Sequence, residues 1–113
     1  MDFWQLNEEE LEPHAPRVLS TEEGASRVIL LGLPKGELLQ EHEVREHALL
    51  FLLEGGLAVS AGEANAEVSA PALLRFDPTE RHEVKATADA RIVLCLSPWP
   101  GDGWHDSHAP SAA

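Results

Sequence analysis

Hydrophobic residues occur along this chain in short runs set off by Gly, Pro, Asn and Asp. The clearest are SRVILLGL (26–33), ALLFLLE (48–54), GLAVSAG (56–62), ALLRFD (72–77), RHEVKA (81–86) and ARIVLCLS (90–97). Runs of this length, about 8 to 12 residues apart, predict short antiparallel strands in a sandwich or barrel. No segment carries the helix-length amphipathic pattern that parallel crossovers require, so the fold class is all-β. In ALLFLLE both faces are apolar, with Ala48, Leu50 and Leu52 on one side and Leu49, Phe51 and Leu53 on the other. Such a strand needs cover on both sides: a barrel interior on one, and a second sheet, the N-terminal segment or another subunit on the other. RHEVKA alternates instead, placing His82, Val84 and Ala86 on a face opposite Glu83 and Lys85, as a strand with one wet side does.

The ends read differently. Asn7 and Glu10 have capping-box spacing and Glu8–Glu10 suit a helix N-terminus, so a short helix over 7–12, stopped by Pro13, is expected. After Pro98 the chain turns to Pro, Gly and polar residues, and regular structure is expected to end there. Trp99 and Trp104 are candidates to fold back on the body, with the last residues mobile. The 113 residues make one domain (1–113), with a core over about 17–98 and an irregular tail over 99–113.

Composition narrows the function. A net charge of −12, from 20 acidic and 8 basic residues, repels phosphate backbones and anionic membrane surfaces, so neither nucleic acid nor membrane is an expected partner. The N-terminus lacks the basic and apolar regions of a secretory signal, and no stretch is long enough to span a membrane. The single Cys95 stands in an apolar run with no cation beside it in sequence, and reads as a buried, unreactive thiol in a reducing, cytoplasmic setting. There is no phosphate-binding glycine loop and no hydrolase nucleophile motif.

The histidines carry the remaining signal. Gly36, five residues, His42, and then Gly55 or Gly56 punctuate LPKGELLQEHEVREHALLFLLEGG, and SAPALLRFDPTERHEV ends in His82. In order and spacing this resembles the two motifs of the cupin superfamily, over about residues 26–97. FDPTERHEVKATADARIVLCLSPWPG is similar to the C-terminal half of small single-domain bacterial cupins. The resemblance implies a double-stranded β-helix, a jelly roll with a ligand cavity at one end. It carries His42 and His82 to metal-ligand stations. Val44 stands where cupins have a second His, and Ala48 or Leu49 where they have Glu; the second motif lacks its opening Gly, and Asp77 takes its Pro position.

Neighbours could replace the missing ligands. Glu46 shares strand parity with His42, but four extended residues span about 13 Å, so a turn is needed for both to reach one ion. With a turn at 43–46, His42 and His47 become a facing hairpin pair about 5 Å apart at Cβ. His42, His47 and His82 then form the triad, with Glu46 at the rim. Two His and a carboxylate suit Fe or Mn; three His suit Zn, Cu or Fe, and Ni is a further candidate. By composition alone, QEHEVREH is equally a solvated loop, and a neutral His at a cavity mouth serves as a hydrogen-bond partner without metal. His105 and His108 read as tail residues open to adventitious Ni or Zn, and His14 as loop.

Two functional readings follow. One is a cupin-type protein whose cavity, lined partly by Ala48, Leu50, Leu52, Val84 and the last strand, binds a small molecule. The divalent metal in that reading is held by His42, His82 and His47 or Glu46. The alternative is a metal-dependent oxygenase or isomerase acting on a small organic substrate. The doubly apolar strand 48–54 makes a homodimer the expected assembly.

Overall fold

The computed structural model describes residues 1–12, 15–42 and 45–100, with backbone alone for 40–42. Its strands are β1 (Arg17–Thr21), β2 (Arg27–Leu33), β3 (Leu38–His42), β4 (His47–Ala61), β5 (Ala64–Ser69), β6 (Ala72–Phe76) and β7 (His82–Ser97). All pairings are antiparallel. The pairs of runs on either side of residues 55 and 87–89 are not separate strands: each is half of one long strand, β4 or β7.

These two strands organise the molecule. The first half of β4 pairs with the second half of β7, with β6 on one flank and β2 then β1 on the other. The second half of β4 pairs with the first half of β7, flanked by β5 and β3. The result is two sheets continuous through a doubled-over pair of strands. In β4 the ladder register shifts repeatedly between Leu52 and Leu57, and inward positions change from Ala48, Leu50 and Leu52 to Leu57 and Val59. A bulge of this kind re-aims the strand without ending it. Gly55 makes it there: its φ is +89°, and a Cβ would lie 2.1 Å from the Asp89 carbonyl oxygen.

Between the sheets, Leu33, Ala48, Leu50, Leu52, Leu57, Val59, Phe76, Val84, Ala86, Ala90, Ile92, Leu94 and Leu96 form one buried cluster. Full burial of each large aliphatic side chain contributes about 1.5–3 kcal/mol, which makes this cluster the main source of stability. The residues named from sequence as cavity lining belong to it, so they form a packed interior floor. The outer face of β4 is covered unevenly. Leu49 and Leu53 are half-buried, whereas Phe51 and its neighbour on β6, Leu73, are 38% and 59% exposed. Cys95 is half-buried rather than buried.

The helix expected over 7–12 is not formed. Residues 6–8 make a single turn, closed by Glu8 N–H donating to the Gln5 carbonyl at 3.0 Å. Arg91 takes the Leu6 and Glu9 carbonyls at 2.7 and 2.8 Å. The first would otherwise accept the Glu10 N–H of a helix, while the helical partner of the second would be Pro13, which has no N–H to give. So short a segment has too few internal bonds to offset helix nucleation, and tertiary capture wins. No helix among the described residues is long and apolar enough to cross a membrane.

Candidate functional site at the open end of the barrel

Because β4 and β7 double back, their four termini lie at one end of the barrel and their bends at the other. The first inward row of the β2–β7–β4–β6 sheet at this open end is Arg27, Leu96, Ala48 and Phe76, directly opposed strand by strand. On the facing sheet the corresponding row is residues 42, 82 and 61. The loop from β3 to β4 and the loop from β6 to β7 join the two rows.

His82 opens β7 facing inward and is 4% exposed. Its ring stacks on Phe76, with centroids 4.0 Å apart and planes 12° from parallel. Nδ1 lies 3.2 Å from the Glu80 carbonyl oxygen. A carbonyl can only accept, so this contact places a proton on Nδ1, and in the neutral ring the lone pair is then on Nε2. That is the tautomer a metal-binding or hydrogen-bond-accepting His requires. The loop before it is shaped by Glu80 N–H donating to the Asp77 carbonyl and by Asp77 N–H donating to the Glu80 carboxylate, both at 3.2 Å. Thr79 adopts φ of +64° there.

Glu46 immediately precedes β4 and is 1% exposed. A carboxylate with so little access to water requires polar partners at the barrel end, because an isolated buried charge is prohibitively costly. His47 is exposed. In the ladder it opposes Ser97 of β7, while residue 42 opposes His82. The expected facing hairpin of His42 with His47 is therefore not formed: β3 pairs with the first half of β7, whereas the half of β4 that begins at His47 pairs with the second half of β7, in the other sheet. Among the described residues no three His, Cys, Asp or Glu side chains are grouped to hold a metal; the His42 side chain is not among those described. Of the proposed ligands, His82 and Glu46 are the two described as buried at this end.

Sequence reasoning passed over Arg27 and gave Trp99 no chemical role. Opposite Leu96, Arg27 points into the barrel, and its guanidinium lies 4.8 Å from the centre of the Trp99 ring. Trp99 does fold back as expected, packing on the core cluster, with backbone bonds tying it to Gly24 and Ala25. Arg27 Nε is buried and has no hydrogen-bond partner among the described residues. The sequence signal was an arginine opening an otherwise apolar strand, RVILLGL. Trp104, His105 and His108, like His14, lie outside the described residues.

A concavity of about 320 Å³ lies at the closed end, lined by Leu11, Gly32, Leu33, Pro34, Glu54, Asp89, Ala90 and Arg91. Its polar groups are engaged by the protein itself. Arg91 holds Glu54 at 2.9 Å and the two N-terminal carbonyls, and Asp89 accepts the Lys35 N–H at 2.8 Å. The buried polar side chains are at the other end.

No protein-family model and no curated protein matches the sequence. Solved structures do. An RmlC-like cupin from Desulfovibrio desulfuricans superposes with a TM-score of 0.73 at 18% identity, over 85% of this chain and 95% of that one. Another, from Shewanella frigidimarina, gives 0.73 at 15% over 91% and 94%. An RmlC-like cupin with a double-stranded β-helix fold from Methanocaldococcus jannaschii gives 0.68 at 12% over 80% and 89%. Identities this low speak for architecture, and on that architecture, with its doubled-over long strands and polar open end, the chain is a small protein of the cupin fold.

Proposed function

We propose that this protein binds a small molecule at the open end of its barrel, with His82 as the polar anchor above an apolar floor. The observation that carries this is the burial of His82 and Glu46 at the barrel end where the strand termini meet, with the His82 tautomer set by Glu80. Buried ionisable groups are costly to a fold and concentrate where binding or chemistry needs them. A divalent metal at this end would be held by His82 and Glu46 together with His42. It would polarise an oxygen-bearing ligand, the chemistry an oxygenase or isomerase would also draw on. His47 fits that set poorly, being exposed on the outer face.

The test is metal content by mass spectrometry of untagged, chelator-free protein, in the parent, in a form ending at Gly101, and in His82→Ala. Near one metal per chain, kept on truncation and lost in His82→Ala, is the expected result for a metal-dependent site. Equal metal in parent and His82→Ala would remove His82 from the ligand set. For the assembly we propose a homodimer through the outer face bearing Phe51 and Leu73. Sedimentation showing a monomer in the parent, or an unchanged dimer in Phe51→Glu, would overturn it.

A further inference from the structure

We infer that Arg27 and Trp99 form the anionic-group subsite of this barrel end, and that its ligand is a planar organic carboxylate, with an aromatic acid the best fit. The inference rests on the small-molecule reading above and adds the class of ligand. It starts from how the arginines are used. Arg17, Arg75 and Arg91 each pair with a carboxylate at 2.7–2.9 Å. Arg27 faces the barrel interior and has the face of Trp99 as its described contact, with Nε buried and lacking an acceptor among the described residues. A buried donor without a partner is a standing cost to the fold, removed when an acceptor arrives. In a chain with 20 acidic residues, an inward arginine with no carboxylate partner among the described residues is set apart from Arg17, Arg75 and Arg91.

The surroundings select the ligand. A guanidinium offers two parallel N–H groups that match a carboxylate. One such cation suits a single negative charge better than a phosphate dianion. Arg27 and Phe76 stand at opposite ends of the row Arg27–Leu96–Ala48–Phe76, three interstrand steps or about 14 Å of sheet apart. An extended arginine side chain and one aromatic ring together cover that span. Ala48, in the middle of the row, keeps it low. The stacked Phe76–His82 pair and the Trp99 ring supply flat apolar surfaces at its two ends, and His82 is placed to meet a polar substituent on the ring.

Calorimetric titration of the full chain with benzoate, benzamide and inorganic phosphate tests this, in the parent, Arg27→Lys, Arg27→Met and His82→Gln. Expected is benzoate binding that weakens at least tenfold in Arg27→Met and less in Arg27→Lys, with a change in tryptophan fluorescence on binding, and weaker or no binding of benzamide and phosphate. Benzoate affinity unchanged in Arg27→Met but lost in His82→Gln would overturn the role of Arg27 while leaving the binding site standing. Benzamide binding as well as benzoate, or phosphate binding better, would overturn the carboxylate assignment alone. No binding of any of the three probes to the parent would overturn the assignment, with metal content left to judge the site independently.

Discussion

The two ends of this barrel each hold an arginine, and the protein treats them in opposite ways. At the closed end Arg91 is satisfied by two main-chain carbonyls and Glu54, and it fastens the N-terminal segment over the bend. At the open end Arg27 meets an aromatic face, and its Nε has no partner among the described residues. The same side chain works as a structural clamp where the chain supplies its acceptors and as a recognition group where it does not. The contrast extends to backbone: the closed end depends on a contact that only glycine permits, while the open end is built from strand termini and loops.

If the closed end carries stability and the open end carries binding, substitutions should sort accordingly in urea denaturation. The largest loss is expected for Gly55→Ala, because its Cβ would overlap the Asp89 carbonyl at a positive φ; about 3–5 kcal/mol is the scale of such backbone strain. A loss below about 1 kcal/mol would mean that the bend relaxes freely and the closed end is not the rigid one. Arg91→Met should cost about 2 kcal/mol, the scale of hydrogen bonds made by a charged donor. Limited proteolysis should then cut ahead of β1. Protection of that segment equal to the parent would show that Arg91 does not hold it.

Smaller effects are expected at the other end. His82→Ala should cost about 1 kcal/mol, from the lost stack on Phe76, and should abolish ligand or metal uptake despite a folded chain. Arg27→Met should change stability by less than about 0.5 kcal/mol, or raise it, since it removes an unpaired donor. A loss of 2 kcal/mol or more there would make Arg27 a second clamp and erase the contrast.

How far the sequence foretold all this follows from what each strand buries. β2, β6 and the halves of β4 and β7 were legible because they carry the inward aliphatic residues. β1, β3 and β5 were not among the runs. RVLST and ANAEVS are almost wholly exposed, and are strands because an edge of the ladder is open to them rather than because their own pattern demands it. The joining of runs into single long strands escaped notice since glycine marks an end and a bulge alike, and only the carbonyl of Asp89 tells which. Motif spacing singled out His82, which the structure places buried at the open end. Arg27 was missed because a charged residue at the start of a strand looks like surface until the register places it against Leu96. Adjacency in sequence suggested a hairpin of His42 with His47, but the ladder sets residue 42 against His82 and His47 against Ser97, at opposite ends of β7.

The doubling back of β4 and β7 also bears on how such a protein can diversify. All segments between consecutive strand termini at the open end, 22–26, 43–46, 62–63 and 77–81, leave from a frame whose fastening lies at the opposite pole. Replacing or lengthening one of them alters the rim without disturbing the bend. Selection for a new ligand can therefore proceed by drift in short exchangeable segments, which suits the scaffold to loop-grafting libraries.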